Sequence, residues 1–203
     1  MTTIDFARTH KDLYSANAKV KEVTAEKATY LAVDGEGAPG GERFQTLIQA
    51  LYGSVYTIKF ALKFGGRDDF KVGKLECIHL MDGPPRTPKE EWKWRLMIRV
   101  PDGVTSKDLA QARRSLKERK GLDTSDVQRV SWAEGASVQT LHLGPYERIG
   151  DSYARLEEFA RSKGLARAGA GHEIYFNDPR KVAPERLKTI VRLPVKQGER
   201  SRR

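Results

Sequence analysis

Hydrophobic and polar residues alternate in short runs along much of this chain, and two longer stretches place apolar residues every three or four positions. Alternation predicts half-buried strands, and the three-to-four spacing predicts helices with one apolar face. We predict strands at residues 20–24, 28–33, 74–80, 94–100, 127–132, 137–143, 172–176 and 189–193. We predict helices at 44–60 and 149–160, and a connecting helix at 106–120 that is rich in Ala, Leu, Lys and Arg.

The order of these elements repeats. Each half has opening strands, then a helix, then two strands, and the last strand of each half ends at a proline, Pro101 or Pro194. The third strands each carry a glutamate, Glu76 and Glu173, which we interpret as matching positions. We therefore predict an α+β fold of two pseudo-symmetric strand–helix–strand–strand repeats, forming antiparallel sheets with a central ligand cleft.

Three parts of the chain follow from this repeat. We expect an N-terminal extension at residues 1–17 and one domain at 18–195, with repeat one at about 18–103 and repeat two at about 125–195. The last eight residues, 196–203, hold four basic side chains and one acidic side chain. We predict that this basic tail is disordered.

Composition narrows the classes of function. One cysteine, Cys77, excludes an intramolecular disulfide and a cysteine-built metal site, and the scattered histidines give no reason to expect a metal or other cofactor. Without an apolar run of about 18 residues or a signal-like N-terminus, we expect a cytoplasmic protein and no membrane partner. The net charge of +10 favours a function in nucleic-acid binding, but no binding motif accompanies it. We therefore expect a solvated basic surface and no specific nucleic-acid partner, and non-specific nucleic-acid binding by this surface is the less favoured alternative.

Several segments resemble the GyrI-like small-molecule-binding family. In the first half they are LYGSVYTIKF at 51–60 and KVGKLE at 71–76; in the second they are EGASVQTLHLGPY at 134–146, HEIYFNDPR at 172–180 and LKTIVRLPV at 187–195. The likeness covers residues 18–195 and is greatest to stand-alone members, which lack a DNA-binding domain. It implies two repeats, an arrangement also called SHS2-type, around a central cleft.

The resemblance also implies a function. Members bind bulky planar, often cationic, aromatic molecules between aromatic walls with a buried glutamate, and the resemblance places Glu173 at that glutamate. We expect binding of a small aromatic cation, with a role in toxin or drug resistance. The alternative is a hydrolase similar to the stand-alone members that open the cyclopropane ring of cyclopropyl-pyrroloindole toxins. After Glu76 this chain has Cys77-Ile78-His79-Leu80, where relatives often have a glycine and two tryptophans.

The residues themselves suggest how such a cleft would work. Glu173 and Tyr175 alternate with Ile174 and so share one strand face. A carboxylate in an apolar cleft would serve as a counter-ion or as an acid–base group, the alternative being a surface salt bridge. Tyr56 would orient a water, so Glu173 and Tyr56 are the predicted catalytic residues. The other predicted ligand-binding residues are Glu76, Trp92, Trp94, Trp132, Tyr146, Tyr175 and His142, for several of which core packing or a structural hydrogen bond is the alternative.

Overall fold

The computed structural model describes residues 3–80 and 88–198. The helices are α1 (Phe6–Thr9), α2 (Lys11–Tyr14), α3 (Glu42–Phe64), α4 (Ser106–Lys120) and α5 (Ile149–Ser162). The strands are β1 (Lys21–Ala25), β2 (Ala28–Glu36), β3 (Leu75–His79), β4 (Lys93–Val100), β5 (Gln128–Trp132), β6 (Gly135–Leu143), β7 (Leu165–Arg167), β8 (His172–Tyr175) and β9 (Lys188–Gln197). None of the helices in these two ranges is both long and apolar enough to cross a membrane.

The strands form one antiparallel sheet in the order β1-β6-β9-β8-β3-β4-β2-β5, with β7 paired to β9. The order is symmetric about the central β8–β3 pair, because β3, β4 and β2 on one side match β8, β9 and β6 on the other. The first strand of each repeat pairs with the other repeat: β1 with β6, and β5 with β2. The predicted α+β fold of two strand–helix–strand–strand repeats is confirmed.

The sheet curls so that its two ends approach each other. Only Glu26 and Lys27 separate β1 from β2, although β1 is the first strand of the order and β2 is the last but one, beside β5. Three Cα-to-Cα steps span at most about 11 Å, so the chain can join these strands only if the sheet bends back on itself. The exchange of first strands therefore ties the two repeats into one unit.

Helices cover the flanks of one face, which we call the helix face. Helix α3 packs on β2 and β4, and α5 packs on β6 and β9, so β3 and β8 lie between them. In the β3–β8 ladder, Cys77 is opposite Glu173 and Glu76 is opposite Ile174. Paired residues project to the same face and neighbours along a strand to opposite faces. Glu173 lies on the helix face and Glu76 on the opposite face, so our interpretation of the two as matching positions is wrong: a one-residue offset in register separates them.

The chain termini add to both sides of this sheet. Within the predicted N-terminal extension, α2 places the hydroxyl of buried Tyr14 2.9 Å from Glu76 Oε1, to which it donates a hydrogen bond on the opposite face.

At the C-terminal end, β9 continues past residue 195, where we placed the end of the domain. Lys196 and Gln197 pair with β7, so these two residues of the predicted tail are ordered strand, and residues 199–203 lie outside the described residues.

Gly35 in β2 is needed because the Trp94 ring lies directly over it. A Cβ at position 35 would be 2.2 Å from Trp94 Cη2. The ring has no room to move, since it is fully buried, packs edge-on against Phe44 and donates from Nε1 to the Gly37 carbonyl at 2.9 Å. We expect Gly35→Ala to lower the free energy of unfolding by about 1–3 kcal/mol. Urea unfolding measures this, and Gly103→Ala is the control, because a Cβ there meets nothing within 4 Å.

Candidate functional site

Four side chains, His79, Tyr153, Glu173 and Tyr175, meet on the helix face over β3 and β8, and we call them the Glu173 cluster. Glu173 is 5% exposed. Its Oε1 accepts hydrogen bonds from His79 Nε2 at 2.9 Å and the Tyr153 hydroxyl at 3.3 Å, and its Oε2 accepts one from the Tyr175 hydroxyl at 2.8 Å. The carboxylate is thus surrounded by donors from β3, β8 and α5.

Backbone contacts explain how these donors reach one carboxylate. The His79 amide donates to the Gly171 carbonyl at 2.9 Å, which joins the end of β3 to the start of β8. Gly171 also lets α5 approach, because a Cβ there would lie 2.5 Å from the Tyr153 hydroxyl. A residue with a side chain at position 171 would push Tyr153 away from Glu173.

The cluster holds a largely buried pair of titratable groups, Glu173 and His79. Burial raises the pKa of Glu173, but the charge of His79 and hydrogen bonds from His79, Tyr175 and Tyr153 outweigh it and lower that pKa below its ordinary value. Burial lowers the pKa of His79, and the Glu173 carboxylate outweighs this and raises it. Burial and Glu173 together raise the pKa of Tyr153 well above its ordinary value. The site therefore contains an ionised carboxylate, phenols that stay protonated at neutral pH, and an imidazole whose pKa the carboxylate raises.

Aromatic side chains surround the cluster. The Tyr146 ring lies edge-on to Tyr175 with centroids 5.6 Å apart, and burial raises the pKa of Tyr146 to about 12. Trp92 lies edge-on to His79 at 6.0 Å. Buried Cys77 is paired with Glu173 across the ladder, and burial raises the pKa of its thiol. Of the residues predicted from sequence, Glu173, Tyr175, Tyr146 and Trp92 come together here.

Tyr56 lies at the α3 side of this region. The hydrogen-bond partners of Glu173 within the described residues do not include it. Tyr52 reaches the backbone of Leu75 at the start of β3, and Tyr56 stacks on Tyr52 at 6.2 Å. Phe60 and Phe64 continue the stack along α3, and all but Tyr52 are at least 45% exposed. Tyr56 is therefore part of a surface row of aromatic rings that begins beside the cluster.

The other predicted site residues lie elsewhere. Trp94 is in the core beneath α3. His142 links β6 to the start of α5, with Nδ1 3.0 Å from the Ser152 hydroxyl and Nε2 3.1 Å from the Pro145 carbonyl, which is a structural role. Trp132 and Glu76 both lie on the opposite face. None of these four contacts Glu173 through a hydrogen bond in the part of the chain that the structure describes.

Sequence reasoning missed His79 and Tyr153 as partners of Glu173. The sequence does contain an indication of the face on which each lies. His79 alternates with Ile78 and so shares a strand face with Cys77, and Tyr153 belongs to the apolar stripe of the helix at 149–160. What was lacking was the antiparallel pairing of β3 with β8, a contact between the two repeats. That pairing brings His79 to a residue 94 positions away.

On the opposite face, Glu76, Glu134, His172 and Arg192 form what we call the buried ion network. Glu134 Oε2 accepts from His172 Nδ1 at 3.0 Å and from Arg192 Nη1 at 2.9 Å. His172 Nε2 lies 3.1 Å from Glu76 Oε2, close enough for an ion pair but misaligned for a hydrogen bond. All four side chains are at most 3% exposed. The network carries two positive and two negative charges when His172 is protonated.

Stability should depend on the protonation of His172. Burial lowers its pKa, but Glu134 and Glu76 outweigh this and raise it to about 9 from an ordinary 6.5. Because His172 binds its proton more tightly in the folded protein than in the unfolded chain, protonation stabilises the fold. This stabilisation is fully present below pH 6.5 and is lost as the pH rises through about 9. We expect the free energy of unfolding to fall by about 3 kcal/mol over that interval. Urea unfolding at several pH values measures it.

His172→Gln provides the control for this pH dependence. The pKa of His79 is raised too, so it contributes in the same direction and remains in the variant. The slope between pH 6.5 and 9 should therefore become shallower without vanishing. An unchanged slope would contradict the assignment to His172.

Two cavities lie outside the Glu173 cluster. The larger, about 440 Å³, lies along residues 15–21, where polar and small side chains and two lysines line it and no acid or aromatic ring does. The other, about 320 Å³, opens on the opposite face beside Glu134 and His172. Within residues 3–80 and 88–198, no group of three or more His, Cys, Asp or Glu is arranged to hold a metal ion. The helix-face cluster is the stronger candidate for acid–base chemistry.

Residues 18–196 match the GyrI-like small molecule binding domain. The chain is similar to an uncharacterized conserved protein from Listeria innocua (36% identity, 96% of this chain and 100% of that chain, TM-score 0.90). It is also similar to a hydrolase from Listeria innocua (35% identity, the same coverage, TM-score 0.90). The EcmrR C-terminal domain shares the fold, at 11% identity over 88% of this chain and 98% of that one, with a TM-score of 0.57. No curated protein matches the chain. The chain belongs to the GyrI-like small molecule binding domain family.

Proposed function

We propose that the Glu173 cluster is the active site of a hydrolase that acts on a planar, hydrophobic and uncharged electrophile. The observation that carries this proposal is the ion pair of Glu173 and His79, buried among phenols and an indole. A base, an acid and a water-poor aromatic surround are what general acid–base hydrolysis needs. The substrate class we propose is a strained cyclopropane conjugated to a carbonyl, as in cyclopropyl-pyrroloindole toxins.

The reaction adds one water. The water oxygen bonds to a cyclopropane carbon, the adjacent carbon–carbon bond breaks, and its electron pair moves to the carbonyl oxygen, which takes a proton. Glu173 accepts the proton from the water. A water can replace the Tyr153 hydroxyl at Oε1, since that contact, at 3.3 Å, is the longest of the three. Tyr146, whose pKa of about 12 keeps it protonated, donates to the carbonyl oxygen, and Tyr56 is the alternative donor on the α3 side.

The charge of the cluster favours an uncharged substrate over a cation. A lone buried carboxylate would attract a cationic ligand strongly, but His79 already neutralises Glu173 at 2.9 Å. A cation entering between α3 and α5 would meet an ion pair with no net charge. The similarity to a Listeria innocua hydrolase over nearly the whole chain also supports hydrolysis.

Turnover tests the proposal directly. The protein is incubated with a molar excess of a cyclopropyl-pyrroloindole compound, and mass spectrometry follows the product that has gained one water. We expect several product molecules per protein molecule. Product that never exceeds one per protein, or none beyond the uncatalysed rate, would overturn the proposal.

Capture of a planar cation is the second candidate, with toxin or drug resistance by sequestration as its role. The exposed row of rings at Tyr56, Phe60 and Phe64 favours it, since aromatic faces attract cations. A rhodamine dye titrated into the protein and into His79→Gln distinguishes the candidates. If Glu173 acts as a counter-ion, removing the imidazolium should tighten dye binding. Equal or weaker binding by the variant would count against capture at Glu173.

A further inference from the structure

The cavity on the opposite face has the features of a second ligand site. It measures about 320 Å³, near the lower end for small-molecule sites, and fits a ligand of one or two rings. The lining residues that matter to the argument are Ile78, Arg95, Trp132, Glu134, Ala170 and His172. Because Glu173 lies on the helix face, this cavity is separate from the Glu173 cluster.

Glu134 provides an unused hydrogen-bond acceptor at this cavity. Its Oε2 accepts from both His172 and Arg192, whereas its Oε1 is buried and has no hydrogen-bond partner among the described residues. The Glu134 side chain is 1% exposed. Burial raises the pKa of Glu134, but His172 and Arg192 outweigh it and lower that pKa to about 2, so the group is ionised. A buried carboxylate oxygen without a donor is costly, and a ligand N–H would satisfy it.

The walls favour a planar ligand without negative charge. The Trp132 ring lies edge-on to His172 at 5.6 Å and to Tyr30 at 6.1 Å, which holds it in place beside the cavity. Ile78 and Ala170 supply apolar contact. Arg95 does not offer a free cation, because it donates two hydrogen bonds to Asp34, at 2.6 and 2.8 Å. The cavity thus combines a flat apolar wall with a lining residue, Glu134, whose buried Oε1 lacks a donor among the described residues.

We propose that this cavity binds a small, planar and uncharged aromatic amide or amine, whose N–H group donates to Glu134 Oε1 while its ring packs on Trp132. The ligand is uncharged because His172 and Arg192 already neutralise Glu134. It completes the hydrogen bonding of the buried ion network, which the proposed hydrolysis does not use. An N–H donor differs from the electrophile proposed for the helix face, so the two sites take different ligands.

Benzamide is the probe that tests this site. Isothermal titration calorimetry measures its affinity, and amide and indole NMR shifts locate it, with changes expected at Trp132 and Ala170. Acetophenone, which has a methyl group in place of the NH2 group, is the comparison ligand. Because the N–H donates to an ionised acceptor, we expect benzamide to bind at least about tenfold more tightly.

Two variants separate this cavity from the helix face. Ala170→Leu fills the cavity from a half-buried loop position, and should weaken benzamide binding at least about tenfold. Glu173→Gln should leave benzamide affinity unchanged. Trp132→Leu, which removes the flat wall, serves as a second cavity variant if Ala170→Leu unfolds.

Three outcomes would overturn the proposal. They are the absence of saturable benzamide binding, equal affinities for benzamide and acetophenone, and binding that is lost in Glu173→Gln but kept in the cavity variants. The last would place the probe on the helix face. Failure of the hydrolysis assay leaves this result untouched, because the two experiments use different ligands and different variants.

Discussion

Glu173→Gln is expected to lower the rate of substrate hydrolysis by about 10²–10⁴-fold, the usual contribution of a positioned general base. The amide has nearly the same shape as the carboxylate but cannot accept the proton of a water. Substrate binding should persist, because the aromatic residues around the cluster remain. Mass-spectrometric product formation measures the rate, and equilibrium titration of the substrate into the variant measures binding.

Glu185→Gln is the matched control, since it makes the same chemical change at an exposed turn residue. Its rate should equal that of the unchanged protein. The pH profile gives a second readout. Activity should fall at low pH, where Glu173 takes up a proton, and at high pH, where His79 loses one. A variant that hydrolyses at the normal rate would exclude Glu173 as the base.

Local patterns predicted the elements of this fold well. The apolar stripe of 44–60 lies inside α3 (Glu42–Phe64), and the predicted connecting helix at 106–120 coincides with α4. The predictions for these helices agree with the structure because burial of one helix face dictates which positions are apolar. The third strand of the second repeat is likewise β8 (His172–Tyr175), one residue shorter than predicted.

Positions across the sheet were harder to predict, because register is a relation between segments far apart in the chain. Glu76 and Glu173 occupy similar places in their repeats, yet the β3–β8 pairing sends them to opposite faces. Trp94 has the residue type of a ligand-binding wall, but its place beneath α3 and over Gly35 makes it core. Only strand pairing distinguishes these outcomes, and pairing leaves no mark on the alternation of a single strand.

The N-terminal segment shows a related limit. Residues 1–17 were predicted as an extension, and nothing in their composition indicates a partner. In the structure, Tyr14 donates to Glu76 and the Leu13 carbonyl accepts from Arg192 Nη2 at 2.7 Å. These contacts involve buried charges whose own positions depend on the sheet. The segment thus belongs to the same cooperative unit as the buried ion network.

Arg192→Met is expected to destabilise the protein by about 3–5 kcal/mol, because it leaves a buried carboxylate with one cationic partner instead of two. The Arg192 side chain is 3% exposed and also donates from Nε to Gln139 Oε1 at 2.9 Å. Methionine retains most of the volume, so the loss reports on charge and hydrogen bonding more than on a cavity. Urea unfolding followed by tryptophan fluorescence measures it, and Arg43→Met is the control.

Arg43 forms an ion pair with Asp126 at 3.0 Å, but the two side chains are 58% and 55% exposed, so its removal should cost at most about 1 kcal/mol. The double variant Arg192→Met/Glu134→Gln shows how much of the stability loss in Arg192→Met comes from the undercompensated charge of Glu134 and how much from lost hydrogen bonds. If the cost comes from an undercompensated charge, neutralising Glu134 should recover part of it, and the two substitutions should be less than additive. Strict additivity would mean that Arg192 and Glu134 are not energetically coupled. A loss for Arg192→Met no larger than that for Arg43→Met would mean that the buried ion network contributes little to folding stability.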